Sequence, residues 1–462
     1  MFNRLKKYLK MKKHYHFIGI GGIGMSGIAH LLLKSGFSVS GSDLKSNRAT
    51  EELKRSGARI FIGHNRQNID AQDVVVYSSA IREDNPEIGQ AKILGITLIK
   101  RAEALALLMQ KKQAITIAGS HGKTTTTSLI SYMLLEAGLS PTVAIGGILN
   151  NINTNACLGT GEFFVAEADE SDGSFLNYTP KYSIITNIDH EHLDYYHNFD
   201  NELKAFKIFI ERTQNDGCVF ACLDDPALLN LVKSYNGRYL TFGLNALADI
   251  YAKNILFTEL SSDFDCYFKN KLICRFHLAL GGKHNISNSL AVIGLGLELG
   301  IDLKYISKSL KEYKGAGRRL ETKFKNDKYM VIDDYGHHPS EIRATLSAIA
   351  NLKAKRRIVI FQPHRYSRTQ LLLDEFAKSF DLADYLIITD IYAASESPIE
   401  GVNTQGLLNK IKEYAPHKKV VYLAKENILK HILSLLTEGD LIITLGAGDI
   451  VKVSDELAKE LN

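Results

Sequence analysis

Cysteine is scarce in this 462-residue chain: Cys157, Cys218, Cys222, Cys266 and Cys274 are the five present, with no Cys-x-x-Cys pair. An odd, scattered set excludes a disulfide framework and a zinc knuckle, and it fits reduced thiols in a cytoplasmic protein. Charge of one sign is scarce too. Lys and Arg number 56 against 51 Asp and Glu, a net of +5, which gives no basis for nucleic-acid binding but is compatible with a polyanionic small substrate. No run is long and apolar enough to span a bilayer. The opening MFNRLKKYLKMKK followed by FIGIGGIGMSGIAHLLL imitates the basic and apolar regions of a signal peptide. Its glycine density, the lack of a small-x-small cleavage site and the polar continuation KSGFSVSGSD argue against one. There is no Gly-x-Ser-x-Gly elbow and no cysteine visibly paired with a base, so a covalent protein nucleophile is not indicated. Internal repeats and low-complexity tracts are absent as well.

What is present is the composition of a soluble globular protein, 45% hydrophobic and 23% charged, in a chain long enough for about three domains. Short β-rich runs alternate with helical runs almost throughout, the pattern of parallel sheets flanked by helices. The fold class expected is α/β with three domains: a Rossmann-like N-terminal domain over residues 1–108, a central P-loop-type ATPase domain over 109–316, and a C-terminal Rossmann-like α/β domain over 317–462. HFIGI, FSVSGSD, ARIFIG, DVVVYSS and ITLIK read as strands of the first. The second opens on AITIAGSHGKTTTT and ends at the glycine-broken KGAGRRLE. In the third, DDYGHH, QPHRYSR and LGAGD follow strands, and strand ends line the ligand crevice of an open α/β sheet.

Two glycine loops stand out. Gly19-x-Gly21-x-x-Gly24, with Asp43 after the next strand, has the spacing of a dinucleotide-binding loop. Taken alone, it suggests a nicotinamide oxidoreductase. GSHGKTTTT (Gly119–Thr127) is the stronger signal: a strand enters it, a helix leaves it, and its amides can cradle phosphate. Lys123 would reach the β/γ-phosphates and the Thr124 hydroxyl would bind Mg2+. Ile117 stands where the full phosphate-loop pattern has its first glycine. AEADESDGSF (Ala166–Phe175) reads either as a solvated acidic turn or, beside a phosphate loop, as a Mg2+ site with Glu167 foremost. TNIDHEHLDYY holds His190, Glu191, His192 and Asp194; His192 is a satisfied loop histidine or, in the same crevice as Lys123 and Glu167, a metal ligand. His337, His364, Arg365 and Arg368 follow strands in the third domain, where arginines suit carboxylate or phosphate recognition.

In order along the chain, GIGGIGMSGIA, GSHGKTTTT, EADESDGSF, NIDHEHLD, GKHNISNSLA, GAGRRLE, DDYGHHPSE, PHRYSRT and LGAGD resemble the motifs of the Mur ligases of peptidoglycan synthesis. The resemblance is to the branch that joins L-alanine to the lactyl carboxylate of UDP-N-acetylmuramate. It implies an ATP-dependent amide ligase using Mg2+, with no nucleic-acid or membrane partner, acting as a monomer or homodimer. It also implies that the first loop holds a UDP-sugar diphosphate through Gly21, Gly22, Gly24, Met25, Ser26 and Gly27, with Asp43, His64 and Ser79 nearby. ATP would lie on Gly119, Ser120, His121, Gly122, Lys123, Thr124 and Thr125, with Asn288 at the adenine and Arg319 and Asp334 as further contacts. Thr124, Glu167 and His192 would hold the metal. His337, His364, Arg365 and Arg368 would position the muramyl carboxylate and the alanine. A muramyl-peptide ligase adding a tripeptide is the nearest alternative. An oxidoreductase would leave the second loop and its acidic neighbours unexplained.

Overall fold

The computed structural model describes residues 13–394 and 396–462, leaving aside the side chains of Leu193 and Asp194. The basic segment at positions 1–12, and Asp194 as a member of its cluster, therefore lie outside the described residues. By contacts the chain divides into two units. The first runs to Ala252 and takes in Cys266–Ile273 and Ser287–Glu312; the second is Lys253–Asp265, Cys274–Ile286 and Tyr313–Asn462.

The first unit begins with five parallel strands: β1 (His14–Ile18), β2 (Ser38–Asp43), β3 (Arg59–Ile62), β4 (Val74–Tyr77) and β5 (Thr97–Lys100). Their order, β3-β2-β1-β4-β5, reverses direction at β1/β4, which is where such sheets bind ligands. The stretch that imitates an apolar signal region is instead β1, a glycine turn and helix α1 (Ile23–Lys34). Tyr15, Phe17 and Ile18 of the strand and Ile28, Leu31 and Leu32 of the helix are buried.

A ten-stranded sheet follows. Its strands in this unit are β6 (Gln113–Ala118), β7 (Thr142–Leu149), β8 (Thr154–Cys157), β9 (Phe163–Glu167), β10 (Tyr182–Ile185), β11 (Cys218–Cys222) and β12 (Tyr239–Gly243). Their order is β12-β11-β10-β6-β9-β7-β8. Because β6 lies between β10 and β9, parallel to both, the loops leaving these three strands emerge side by side. The β7–β8 pair is antiparallel, and its Gly-Gly interruption and short second strand hide it from periodicity. Strands β13 (Ile250–Thr258), β14 (Ser261–Phe268) and β15 (Lys271–Leu278) complete the order.

The second unit holds a six-stranded sheet of β16 (Glu321–Lys325), β17 (Tyr329–Asp334), β18 (Arg356–Phe361), β19 (Tyr385–Ile388), β20 (Lys419–Tyr422) and β21 (Asp440–Leu445). The order is β16-β17-β21-β18-β19-β20, parallel except at β16. Alternate residues serve opposite faces. Ile332, Val359, Phe361 and Ile443 pack into one apolar cluster, while Val331, Ile358, Ile360 and Ile442 pack into another. Both faces are covered, so the strands read as continuous apolar runs rather than alternating ones.

Gly41 in β2 tests the packing beside the first loop. A β-carbon there would lie 2.6 Å from both the Ile20 Cδ1 and the Phe17 carbonyl oxygen. Gly41→Ala is expected to destabilise the fold by about 1–3 kcal/mol, the scale of overpacking, seen as a lowered melting temperature; an unchanged one would show that β2 shifts freely.

Candidate active site

The first loop is braced before any ligand is considered. Asp43 at the end of β2 accepts the Gly21 amide at 2.8 Å, and the Asn47 side chain donates to the Gly21 carbonyl at 3.1 Å. A side chain on Gly21 would strike Asn47, Asp43 and Thr50. The carboxylate expected near a ribose thus fixes the turn itself. Gly22 caps α1, whose first-turn amides at Ile23, Gly24 and Met25 face the turn without intrahelical acceptors, as in any helix. Ser26 differs: its amide bonds to the Gly22 carbonyl and its hydroxyl to that of Ile23. Met25 is buried, and Gly27 backs onto Asn155 and Ala156. His64 follows β3 and shares a hydrogen bond with Ser42, which donates to the buried Glu87 at 2.6 Å. Ser79 is exposed just after β4, across the switch point from the loop.

The second loop leaves β6 and enters helix α2 (Lys123–Glu136). Ile117 is fully buried in β6, so the cradle begins at Gly119. Gly119 and Gly122 have φ of +125° and +84°, and a β-carbon would meet Thr186 Oγ1 at 2.3 Å or Asn288 Oδ1 at 2.7 Å. Asn288, from helix α3 (Lys283–Glu298), is therefore packed against the loop. The loop leaving β10 secures the turn from the other side. Asn187 accepts from the Ser120 and His121 amides and donates to the His121 carbonyl; the Ser120 hydroxyl accepts from Asp189, and the His121 ring meets Asp189 at 3.0 Å. Thr125 is buried in the first helical turn.

Lys123 Nζ donates to the Gly119 and Ser120 carbonyls and, at 2.6 Å, to Glu170. Burial would lower its pKa, but Glu170, with Asp169 and Glu191, holds it above its ordinary value. Thr124 donates to Glu167 at 3.3 Å, and Glu167 also accepts the Gly146 amide. His192, in the left-handed region at φ 56°, lies 3.4 Å from Glu170 and 3.2 Å from Glu191. Burial would lower its pKa; the two carboxylates override that and push it up to about 9. Thr124 and Glu167 are thus brought together, whereas His192 is placed on Glu170 and Glu191. The other oxygen of Glu170 is fully buried and has no hydrogen-bond partner among the described residues. This oxygen-rich set beside a phosphate loop suits a hard divalent cation such as Mg2+. Sequence reasoning chose Glu167 and passed over Glu170 and Asn187; their signal was their place at the exits of β9 and β10.

In the second unit, the loops leaving β17, β21 and β18 sit on adjacent strands. The His337 and His364 rings are 5.4 Å apart, Arg368 reaches His364 at 3.3 Å, and Tyr392 stacks on His364 at 5.6 Å. Arg365 has φ 71° and an ion pair with Glu396 at 3.4 Å. Burial pushes the His364 pKa down to about 3, aided by His337, Arg368, Arg365 and Arg318. Asp334 is turned inward: it accepts from Leu320, Gly336 and Thr345, and burial raises its pKa. Arg319 lies 3.7 Å from Glu341 and over the Tyr335 ring. Its neighbour Arg318, which sequence reasoning passed over, ties Asp333 to the carbonyls of Gly446 and Gly448.

Three sheets with parallel strands at their core, and a lysine–threonine phosphate loop on the second, define a class: multidomain α/β enzymes that act on nucleoside phosphates. Comparison with known proteins narrows it. Residues 14–113 match the model of the Mur ligase family catalytic domain, 117–296 the Mur ligase middle domain, and 318–448 the Mur ligase glutamate ligase domain. The UDP-N-acetylmuramate–L-alanine ligase of Desulfatibacillum aliphaticivorans is 48% identical over 96% of this chain and 98% of its own length. That of Aquifex aeolicus is 48% identical over 97% and 98%. The crystal structure of the UDP-N-acetylmuramate–alanine ligase of Thermotoga maritima superposes with a TM-score of 0.84 at 30% identity, covering 97% of this chain and 99% of that one. The chain belongs to the Mur ligase family, with its three-domain α/β architecture.

The low pKa of His364 yields a pH test. An unfolded histidine titrates near its model value of 6.5, whereas folded His364 titrates at about 3. Between those values the unfolded state binds the extra proton, so this group removes stability as pH falls from 6.5 towards 3 and has no effect above that window. His364→Asn is expected to lose less melting temperature than the unaltered chain between pH 6.5 and 5. Parallel curves would exclude the effect.

Proposed function

We propose that this chain is an ATP-dependent ligase that joins L-alanine to the lactyl carboxylate of UDP-N-acetylmuramate, a step of peptidoglycan precursor synthesis in the cytoplasm. The observation that carries the chemistry is the convergence of Lys123, Thr124, Glu167 and Glu170 at the ends of adjacent strands. Relatives of that name, 43–48% identical over nearly the whole chain, support the substrates. In this reading residues 1–108 bind the UDP-sugar, 109–316 bind ATP and 317–462 bind the amino acid. The first glycine loop holds the diphosphate of UDP rather than NAD.

The muramyl carboxylate attacks the γ-phosphorus of ATP, giving an acyl phosphate and ADP. The alanine amine then attacks the acyl carbon, and the tetrahedral intermediate collapses to amide and inorganic phosphate. Lys123 offsets charge on the transferring phosphoryl group, and the amides that open its helix, at Lys123, Thr124 and Thr125, orient it. Thr124 and Glu167 would hold Mg2+, with His192 as a further ligand only after giving up the proton that Glu170 and Glu191 favour, and the cation would supply Lewis-acid neutralisation of phosphate oxygens. Arg365, Arg368, His337 and His364 bind carboxylates, and the ends of β17 and β18, on either side of β21, keep them oriented.

Phosphate release with ATP, UDP-N-acetylmuramate and each amino acid tested separately, and with a tripeptide, checks the reading. Release is expected with L-alanine, and its absence would overturn the assignment. Lys123→Ala is expected to lower turnover by about 10²–10³-fold or more, the scale of losing one oriented electrostatic group. UDP-N-acetylmuramate should still raise that variant's melting temperature.

A further inference from the structure

We propose that Arg101 is a further substrate-binding residue, one that takes the diphosphate of the UDP-sugar beside the first glycine loop. The proposal rests on the reading of that loop as the diphosphate holder. Arg101 opens the helix Arg101–Met109, directly after the end of β5. It therefore stands at the same strand-end edge as the loop after β1 and Ser79 after β4. A β-carbon on Gly24 would lie 3.3 Å from Arg101 Cδ and 3.4 Å from its Nη1. Gly24 is the second residue of α1, so the guanidinium rests against the positive end of that helix. Its own helix begins Lys100–Arg101, a second unfavourable place for a cation.

Such an arrangement needs an anion. Asp169 provides part of one: it accepts from Arg101 Nη2 at 3.0 Å and is 39% exposed, against 21% for the arginine. Among the described residues that is one hydrogen bond for a group with five donors. Burial would lower the arginine's pKa, but Asp169, with Tyr178, Asp172 and Glu167, keeps it raised. The anchor is itself fixed, because the Asp169 carboxylate also accepts the Ser171 amide. The loop is docked on the same side: Asn155 donates to the Ile23 carbonyl at 2.7 Å. Gly24 thus leaves the space through which Arg101 approaches the amides of α1. A fork of donors set beside free helix amides fits a phosphate better than either group alone.

The test uses UDP, which carries the diphosphate but no lactyl group, alongside UDP-N-acetylmuramate. Arg101→Ala is expected to weaken UDP binding, measured by calorimetry, by roughly tenfold to a hundredfold, the range of charge-assisted hydrogen bonds. The KM for UDP-N-acetylmuramate should rise in parallel while the KM for ATP stays within about twofold, and Arg101→Lys, which keeps the charge but not the fork, should lie between. Unchanged UDP affinity in Arg101→Ala would overturn the proposal. So would a loss confined to UDP-N-acetylmuramate, which would move the contact to the lactyl carboxylate, or an equal rise in the KM for ATP, which would make the ion pair structural. No UDP binding by the unaltered chain would bring down the reading of the loop itself, and this proposal with it.

Discussion

Lys123 and Glu170 hold opposite charges 2.6 Å apart, with the carboxylate wholly buried. Much of the central site depends on that pair. A buried carboxylate is costly unless a cation answers it, and here the cation is carried by the first residue of a helix whose preceding loop curls back onto it. The Gly119 and Ser120 carbonyls complete the ammonium's shell. That curl demands left-handed backbone at Gly119 and Gly122, with Thr186 and Asn288 filling the room where side chains would be. His192 and Tyr196 close on Glu170 from the β10 side, the tyrosine donating to its backbone carbonyl. Removing the lysine therefore strands a buried charge as well as removing the proposed phosphate ligand.

Parallel topology does the assembling. Lys123 and Glu170 are 47 residues apart, and Asn187 reaches His121 across 66. They meet because β9, β6 and β10 are neighbours that run the same way. The sheet of the second unit repeats the device with β17, β21 and β18, bringing His337, His364 and the Gly446–Asp449 turn to one edge.

This explains what could be read in the chain before its fold. Strands such as YMVIDDY and YSIITNI were legible because both faces are covered and apolar residues run on without interruption. The glycine turns were legible because lysine and threonine follow the second at fixed spacing. Pairings were not. Nothing local distinguishes Glu170 from Glu167 within AEADES: one meets Lys123 and the other Thr124 only because of how the chain turns after β9. Asp43 has the spacing of a ribose ligand, yet its carboxylate holds the Gly21 amide. Arg318 and Arg319 are adjacent, and only the fold sends the first to the β21 turn and the second to Glu341.

The two glycine loops also show why one fingerprint cannot name its ligand. Both join a strand to a helix, and both leave amides facing outward. The second carries its own cation at the helix start, with Thr124 and the acidic exit of β9 alongside, so it can both bind a phosphate chain and act on it. The first has no lysine in the turn and no carboxylate pair of that kind; Asp43 is engaged in holding the turn's shape. Such a loop can hold a diphosphate still but has nothing with which to transfer a phosphoryl group. The difference lies in the groups beside the glycines, and in the proposed reaction it gives holding to one loop and chemistry to the other.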